Sequence, residues 1–192
     1  MEFLSYLISG ISLGSVYAII ALGYTMVYGI AKMLNFAHGD VIMVGGYISF
    51  CAMFYLHLPN VVAVLLAVVV CTVLGIFIER LAYKPLRNAP SLAVLITAIG
   101  VSYFLQNSAL LIWKAAARSY TPVVTGTASL LDGRLSISYI SLLTIAVCVV
   151  IMLALTTFVN KSKMGKAMRA CSEDKAAAQL MGINVNATIS AT

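Results

Sequence analysis

The stretch KSKMGKAMRACSEDKAAAQLMGIN, residues 161–184, is the longest segment of this chain that a membrane span could not absorb. It carries five of the twelve Lys and Arg residues of the protein. Nearly everything before it consists of apolar runs and short turns. We therefore interpret residues 161–184 as a surface loop that meets a soluble partner, and the apolar runs as the part that this partner moves.

The composition of the whole chain indicates a membrane protein. Of its 192 residues, 62% are apolar and 9% are charged, whereas a soluble domain has about 25% charged residues. So few charges cannot cover a water-facing surface, which predicts an all-α, polytopic helical protein in the lipid bilayer. The net charge of +6 does not indicate a nucleic-acid partner, because the cations lie between apolar runs and no nucleic-acid-binding motif is present.

Five apolar runs are candidates for transmembrane helices, each of which needs about 20 apolar residues. They are residues 4–30, 41–58, 61–78, 92–112 and 137–159. The segments between the last three runs, residues 79–90 and 113–136, are interpreted as loops. With five alternating spans, nine cations fall on one side of the membrane and three on the other. The excess predicts that residues 161–184 are cytoplasmic and that the N-terminus lies outside the cell.

A stripe of small residues runs along the first apolar run. Gly10, Gly14 and Ala18 follow one another at steps of one helical turn. Small side chains let a second helix approach closely in a membrane, so these residues are candidates for helix packing. A chance pattern in a run rich in Gly and Ala is the other open interpretation.

The segment AKMLNFAHGD, residues 31–40, is the most unusual short piece of the sequence. It places Asn35, His38 and Asp40 between two apolar runs, with glycines at 29 and 39 as candidate hinges. One interpretation is a short solvated turn. The other is a broken or re-entrant helix, because irregular backbone at membrane depth is tolerated only where it is buried in protein or lines a cavity.

The fourth apolar run carries the polar residues Ser102, Gln106 and Asn107. Polar side chains within a span usually face a neighbouring helix or a cavity. Hydrogen bonding between helices is one interpretation, and lining of a substrate path is the other. Under the second, Gln106 and Asn107 join the three polar residues of the segment 31–40 as candidate path residues.

The loop at residues 161–184 contains its own helix signals. Ser172 is a favourable N-cap, acidic residues follow it in the first turn, and Gly182 stands where a helix would end. These signals predict a helix at residues 173–181, which at about nine residues is too short to be stable alone in water. Its small apolar side chains suit a groove on a partner. The alternative is a basic loop without fixed structure beside the membrane.

No constellation of catalytic or metal-binding residues occurs in the sequence. It holds no Ser-His-Asp set, no phosphate-binding glycine loop, no pair of carboxylates within a run, and no His and Cys spacing that suits a metal. The four cysteines form no C-x-x-C pair and are expected to be packing residues. We therefore expect no enzyme activity and no bound cofactor, so that any energy input comes from a partner.

Three segments are more specific than apolar runs alone. They are GSVYAIIALGYTMVYGIAKMLNFAHGD (residues 14–40), IERLAYKPLRNAPSLAVLITAIGVSYFLQN (78–107) and SKMGKAMRACSEDKAAAQLMGIN (162–184). The motifs NFAHGD and RACSED, the latter followed by LMGIN, are the most specific parts. Through these segments nearly the whole chain resembles the LivH-type permeases of bacterial branched-chain amino acid ABC transporters.

The resemblance implies a multi-pass permease subunit of the bacterial inner (plasma) membrane. It implies as partners a second homologous permease subunit, two cytoplasmic ATPase subunits that use ATP, and a periplasmic substrate-binding protein. It places the ATPase-coupling helix at residues 173–181, within a coupling loop at 161–184. The candidate coupling residues are then Glu173, Asp174, Ala177, Leu180 and Gly182. Asp174 stands where the pattern common in such importers has Ala, which leaves the register of the helix open.

The resemblance also sets expectations about length and mechanism. Residues 1–192 correspond to a transmembrane permease domain, but members of this family continue with several further spans, so we expect a fragment or a truncated reading frame. The implied mechanism is alternating access driven by the partner ATPases. Two other classes remain as alternatives: a secondary transporter or channel without an ATPase, which would need ionisable groups within the spans, and a membrane anchor or assembly factor.

Overall fold

The computed structural model describes residues 2–87, 89–115, 126–130 and 135–192. Within these ranges the chain forms eight α-helices and two short strands. They are α1 (Glu2–Ala31), α2 (His38–Phe54), α3 (Asn60–Ile78), α4 (Ser91–Trp113), β1 (Thr127–Leu130), β2 (Leu135–Ser138), α5 (Tyr139–Lys161), α6 (Lys163–Glu173), α7 (Lys175–Leu180) and α8 (Val185–Ser190). The chain separates into two units, one of Met1–Ile30 with Thr121–Thr192 and one of Ala31–Tyr120.

The prediction of a helical membrane protein is confirmed. Four helical segments are long and apolar enough to cross a membrane, namely Tyr6–Ala31, Asn60–Leu86, Ser91–Trp113 and Tyr139–Lys161. The fifth predicted span is the apolar helix α2, which has 17 residues. At 1.5 Å per residue it is about 26 Å long, slightly less than the ~30 Å of hydrocarbon. The side of the membrane on which the N-terminus lies stays a prediction.

Two predicted boundaries are wrong. The second run becomes helical already at His38 and ends at Phe54. Residues 79–90, interpreted as a loop, instead continue α3 as a π-helical turn, Glu79–Tyr83, and a 3₁₀ turn, Lys84–Leu86. The charged residues that suggested a loop are good helix formers. The proline of the 3₁₀ turn stands near its start, where a missing N–H breaks no hydrogen bond.

The predicted loop at residues 113–136 contains a short antiparallel hairpin. Thr127 pairs with Ser138 and Leu130 pairs with Leu135. The backbone N–H of Tyr139, the first residue of α5, donates to the carbonyl of Gly126 at 3.2 Å. The hairpin thus leads directly into α5. Residues 116–125 and 131–134 of the predicted loop lie outside the described residues.

The core of the Ala31–Tyr120 unit lies where α2, α3 and α4 meet. Helices α2 and α3 approach closely at a glycine, where a Cβ on Gly45 would lie 2.8 Å from Cys71 Sγ. The same thiol donates to the carbonyl of Val41 at 3.4 Å. The buried residues that share this core are Ala37, Ile78, Tyr83, Val94, Ala98 and Leu105.

In the other unit, α6 folds back across the end of α5. Ser162 is extended and caps α6 by accepting a hydrogen bond from Gly165 N at 2.8 Å. A Cβ at Gly165 would lie 2.6 Å from the carbonyl oxygen of Phe158, so this position requires glycine. Arg169 Nη2 donates to the carbonyl of Asn160 at 3.3 Å. These contacts hold the first half of α6 against the last turn of α5.

We call α6, α7 and α8 together the C-terminal helical module. Helix α6 turns one face inward, with Met168 and Cys171 each 1% exposed. Helix α7 contributes the buried Ala178, and α8 contributes Thr188 and Ile189. The module is therefore a small packed structure rather than the unstructured basic loop that the sequence left open.

Candidate functional site

The chain is irregular at residues 32–37, between α1 and α2. The first residue of this segment, Lys32, has the left-handed backbone angle φ 57°. A left-handed residue is a common way to end a helix, although glycine usually supplies it. The predicted hinges at Gly29 and Gly39 are wrong, because both glycines lie inside helices.

Asn35 fixes the shape of this irregular segment. Its Oδ1 accepts hydrogen bonds from the hydroxyl of Tyr83 at 2.7 Å and from the backbone N–H of Ala37 at 3.1 Å. Its carbonyl accepts from the N–H of His38 at 3.3 Å. Because irregular backbone in a membrane must satisfy its polar groups within the protein, these bonds allow the segment to lie beside apolar helices.

Asp40 is the third residue of α2 and is only 8% exposed. Its carboxylate accepts a hydrogen bond from Gln106 Nε2 at 3.0 Å. The same amide nitrogen donates to Ser102 Oγ at 3.1 Å. We call these three residues the Asp40–Gln106–Ser102 cluster. In the part of the chain that the structure describes, the recorded ion pair joins Arg87 and Glu79, so Asp40 has no basic partner there.

The cluster lies well inside the length of α4. Gln106 is the sixteenth of the 23 residues of this helix, which is long enough to cross a membrane. Tyr47 of α2 stacks on Trp113, the last residue of α4, with ring centroids 4.6 Å apart. Helices α2 and α4 are therefore parallel, and α2 begins roughly 20 Å beyond the start of α4 at 1.5 Å per residue. This arrangement favours a broken helix at membrane depth over a solvated surface turn.

Two other predicted path residues are placed differently. His38 is the first residue of α2 and is half-buried. Asn107 is exposed and donates to the carbonyl of Tyr103 at 2.7 Å, one turn earlier on its own helix. The structure thus brings Gln106, but not its neighbour Asn107, to the carboxylate of Asp40.

Sequence reasoning missed Tyr83 and the ion pair between Glu79 and Arg87. Tyr83 is buried and holds Asn35 in place. Glu79 and Arg87 are eight residues apart in sequence. The side chain of Glu79 is 19% exposed and that of Arg87 is 10% exposed. Residues at this separation do not meet on a regular α-helix, but the π-helical and 3₁₀ turns bring them together. The signal that could have identified Tyr83 was its aromatic side chain, which is unusual in a segment interpreted as a basic loop.

The small-residue stripe of α1 is open in the described structure. Gly10, Gly14 and Ala18 are all exposed, and no described side chain or remote backbone atom lies within 4 Å of a Cβ built on either glycine. Helix α5 touches α1 elsewhere, where Cys148 Sγ donates to the carbonyl of Ser15 at 3.3 Å. A packing role for the stripe stays a prediction.

The predicted coupling helix is shorter than expected and is capped by a different residue. Helix α7 has six residues, and its N-cap is Asp174, which accepts from the N–H groups of Ala176 at 2.8 Å and Ala177 at 3.1 Å. Ser172 lies inside α6 and donates to a backbone carbonyl, and Glu173 is the last residue of α6. The predicted cap at Ser172 and the nine-residue length are wrong. An extended Asp174 separates the helices, and its carboxylate reaches two N–H groups.

The predicted end of this helix is confirmed. Gly182 has the left-handed angle φ 83°, and its N–H donates to the carbonyl of Gln179 at 3.0 Å. The N–H of Ile183 donates to the carbonyl of Ala178 at 3.1 Å. This pair of bonds is the Schellman arrangement that glycine commonly provides at a helix end.

The outer side of α7 is apolar and unusually exposed. Leu180 is 88% exposed and Met181 is 83% exposed. Ala177 is exposed on the same helix, whereas Ala178 packs into the module. Short, well-capped and apolar at its outer end, α7 can present its side chains to a groove on another molecule.

The described residues contain no group of three or more His, Cys, Asp or Glu side chains that is arranged to hold a metal ion. The four cysteines are free thiols.

Comparison with known proteins identifies one family. The family model described as branched-chain amino acid transport system / permease component matches residues 6–192. The high-affinity branched-chain amino acid transport system permease protein BraD of Pseudomonas aeruginosa is 41% identical over 202 residues, which cover 100% of this chain and 66% of that protein. The corresponding LivH of Escherichia coli K12 is 40% identical over 215 residues, with the same shares covered.

A more distant relative is the probable branched-chain amino acid transport permease protein LivH of Methanocaldococcus jannaschii. It is 29% identical over 178 residues, which cover 88% of this chain and 55% of that protein. No solved structure matches the chain. The chain spans 66% of the length of its bacterial relatives, slightly less than two thirds. Because the family model covers nearly all of the sequence, the chain belongs to the branched-chain amino acid permease component family and is a multi-pass inner-membrane protein.

Proposed function

We propose that the chain is the permease subunit of an ABC importer for branched-chain amino acids, forms part of its translocation path and is coupled to a separate ATPase. The observation that carries this proposal is the match of residues 6–192 to the permease family. The substrate class follows from the names of the relatives. The chain binds no cofactor of its own, and ATP is used by the partner.

The proposed path runs beside the start of α2. Asn35, His38 and Asp40 lie at or next to the irregular segment, and Gln106 joins them from α4. A broken helix with polar side chains at membrane depth is the usual way in which transporters build a substrate site. Asn107, one position further along α4, belongs to the path in this proposal although it contacts its own helix.

The proposed coupling element is α7, within the loop 161–184. Asp174 sets its start, Gly182 sets its end, and Ala177 and Leu180 face outward between them. Glu173 lies at the boundary with α6. Closure of the ATPases would push α7. The movement would reach α5 through Gly165, because this residue packs directly against the backbone of α5 and leaves no room for a side chain.

The proposed assembly contains two permeases, this chain and a second similar one, with two cytoplasmic ATPase subunits and a periplasmic substrate-binding protein. The exposed stripe of Gly10, Gly14 and Ala18 offers a packing surface for another helix. The cation excess predicts that α7 lies on the cytoplasmic side, where the proposed ATPases would bind.

The test introduces a charge on the outer face of α7. In Ala177→Glu, uptake by the reconstituted importer should fall at least about tenfold, because a buried unpaired charge is costly in a docking groove. The ATPase should also lose its response to substrate-loaded binding protein. Ala187→Glu is the matched control, since Ala187 is likewise an exposed alanine whose N–H binds the cap of its helix. Normal uptake by Ala177→Glu would refute coupling through α7.

One observation favours a second candidate, a secondary transporter or channel without an ATPase. Sequence reasoning found essentially no ionisable group within the spans, yet Asp40 lies beside the interior of α4. Ion-coupled transport uses such groups. Uptake by vesicles without nucleotide separates the candidates, because an importer driven by an ATPase should show none.

A further inference from the structure

We propose that the Asp40–Gln106–Ser102 cluster receives the ammonium group of the amino acid during its passage. This inference rests on the proposed function and assigns one part of the substrate to one place in the path. It concerns the backbone portion that all amino acids share, and therefore does not depend on which side chain is carried.

The first argument is the unbalanced charge of Asp40. Asp40 is only 8% exposed, and the hydrogen bond that the structure records to its carboxylate comes from a neutral amide. A carboxylate can accept about four hydrogen bonds, so most acceptor positions of the Asp40 carboxylate are available to a ligand. Buried charges in proteins are normally paired, and an ionisable residue at membrane depth normally marks a binding site or pathway. A cationic group is therefore the ligand that this carboxylate fits.

The second argument is the set of acceptors around the carboxylate. An ammonium group brings three N–H donors and no acceptor. The carboxylate of Asp40 and the hydroxyl of Ser102, on two different helices, both accept from the same nitrogen atom, Gln106 Nε2. Two oxygen acceptors that converge on one nitrogen suit a compact ammonium better than a planar guanidinium, which prefers a bidentate carboxylate.

The third argument is access. Gln106 is exposed, and so is Gly39, the residue before Asp40. No side chain or remote backbone atom lies within 4 Å of a Cβ built on Gly39, so space is open beside this residue. A small ligand can therefore approach the cluster at Gln106 and beside Gly39.

The protein itself must also stabilise the buried carboxylate of Asp40. Asp40 lies in the first turn of α2, where the helix dipole favours a negative charge. The Gln106 amide adds one donor. Both contributions favour a negative charge at this position, whereas a purely structural hydrogen bond from Gln106 would be served equally well by asparagine.

The test uses photo-leucine, a leucine with a photoreactive side chain, on the assembled importer that contains this chain, reconstituted in lipid nanodiscs. Irradiation should label the peptides that hold Asp40 and Ser102, as read by mass spectrometry. Excess leucine should displace the label, and 4-methylpentanoate, which has the same skeleton without the amino group, should not. Asp40→Asn should reduce labelling at least about tenfold, because a charge-assisted contact is lost. Asp40→Glu should retain most of it.

The control is Thr97→Val on α4, whose hydroxyl bonds to its own helix and which should label normally. Labelling of Asp40→Asn at the level of the unchanged chain, or equal displacement by 4-methylpentanoate, would overturn the inference. So would uptake accompanied by a proton flux that Asp40→Asn abolishes, since the carboxyl group would then carry a proton. If Asp40→Asn fails to assemble, the Asp40→Glu and Ser102→Ala variants decide by the same readout. ATP-dependent leucine uptake by the unchanged importer is measured in parallel, and its absence would count against the proposed function instead.

Discussion

Two polar regions of the molecule, residues 32–40 and the C-terminal helical module, are held together by opposite means. Each helix of the module begins at a cap, Ser162, Asp174 or Asn184, whose side chain binds an N–H two or three residues later. The segment 32–40 is instead held by Tyr83 and Gln106, which are 48 and 66 residues away from their partners. The module is thus specified largely by neighbours in sequence, and the broken helix by distant parts of its unit.

This difference determines how a substitution should act in each region. In the module, loss of a cap should loosen one short helix and leave the rest intact. At the broken helix, loss of one distant partner should free a segment that has few bonds of its own. One position in the module departs from this rule, because Gly165 joins it to α5 through backbone contact.

The largest effect is expected at that junction. Gly165→Ala should destabilise the protein by about 3 kcal/mol, because the new Cβ would lie 2.6 Å from the Phe158 carbonyl oxygen and backbone must move. Denaturant titration in detergent measures the change. Gly100→Ala is the control, since a Cβ there meets nothing within 4 Å. Equal stability of the two variants would show that α6 does not depend on this close contact.

A smaller effect is expected at the broken helix. Tyr83→Phe removes the hydroxyl that binds Asn35 and should cost about 1–2 kcal/mol, because a partly buried amide oxygen loses a donor. Hydrogen exchange should quicken at Ala37 and His38, whose N–H groups bind Asn35. Tyr103→Phe, at a tyrosine that is 62% exposed, should change neither quantity. Unchanged hydrogen exchange at Ala37 and His38 in Tyr83→Phe would show that the distant Tyr83 hydroxyl does not hold this segment.

The smallest effect is expected at the start of α7. Asp174→Ala should cost about 1 kcal/mol of local stability and speed the exchange of the Ala176 and Ala177 amides, since both lose their cap. Ser172→Ala should leave those amides unchanged, because Ser172 binds within α6. A larger effect from Ser172 than from Asp174 would restore the boundary that the sequence suggested.

The limits of prediction follow the same division. The apolar runs, the left-handed glycine at 182 and a helix in the loop 161–184 could be predicted, because each depends on composition or on signals within a few residues. The choice between Ser172 and Asp174 could not, because both are good caps and the packing of α6 decides between them. The grouping of Asn35 with Tyr83, and of Asp40 with Gln106, depends on how helices pack and leaves no periodic trace in the sequence.

The displaced start of α2 has a consequence for the surrounding lipid. Helix α2 begins partway along α4, and the residues before it, 32–37, are irregular, so α2 lies beside only the second half of α4. Lipid that meets the uncovered flank must thin locally or give way to water, at a modest cost in free energy for each ångström of mismatch. Membranes with longer acyl chains should therefore strain the protein first at this point, on the flank that α2 leaves incomplete.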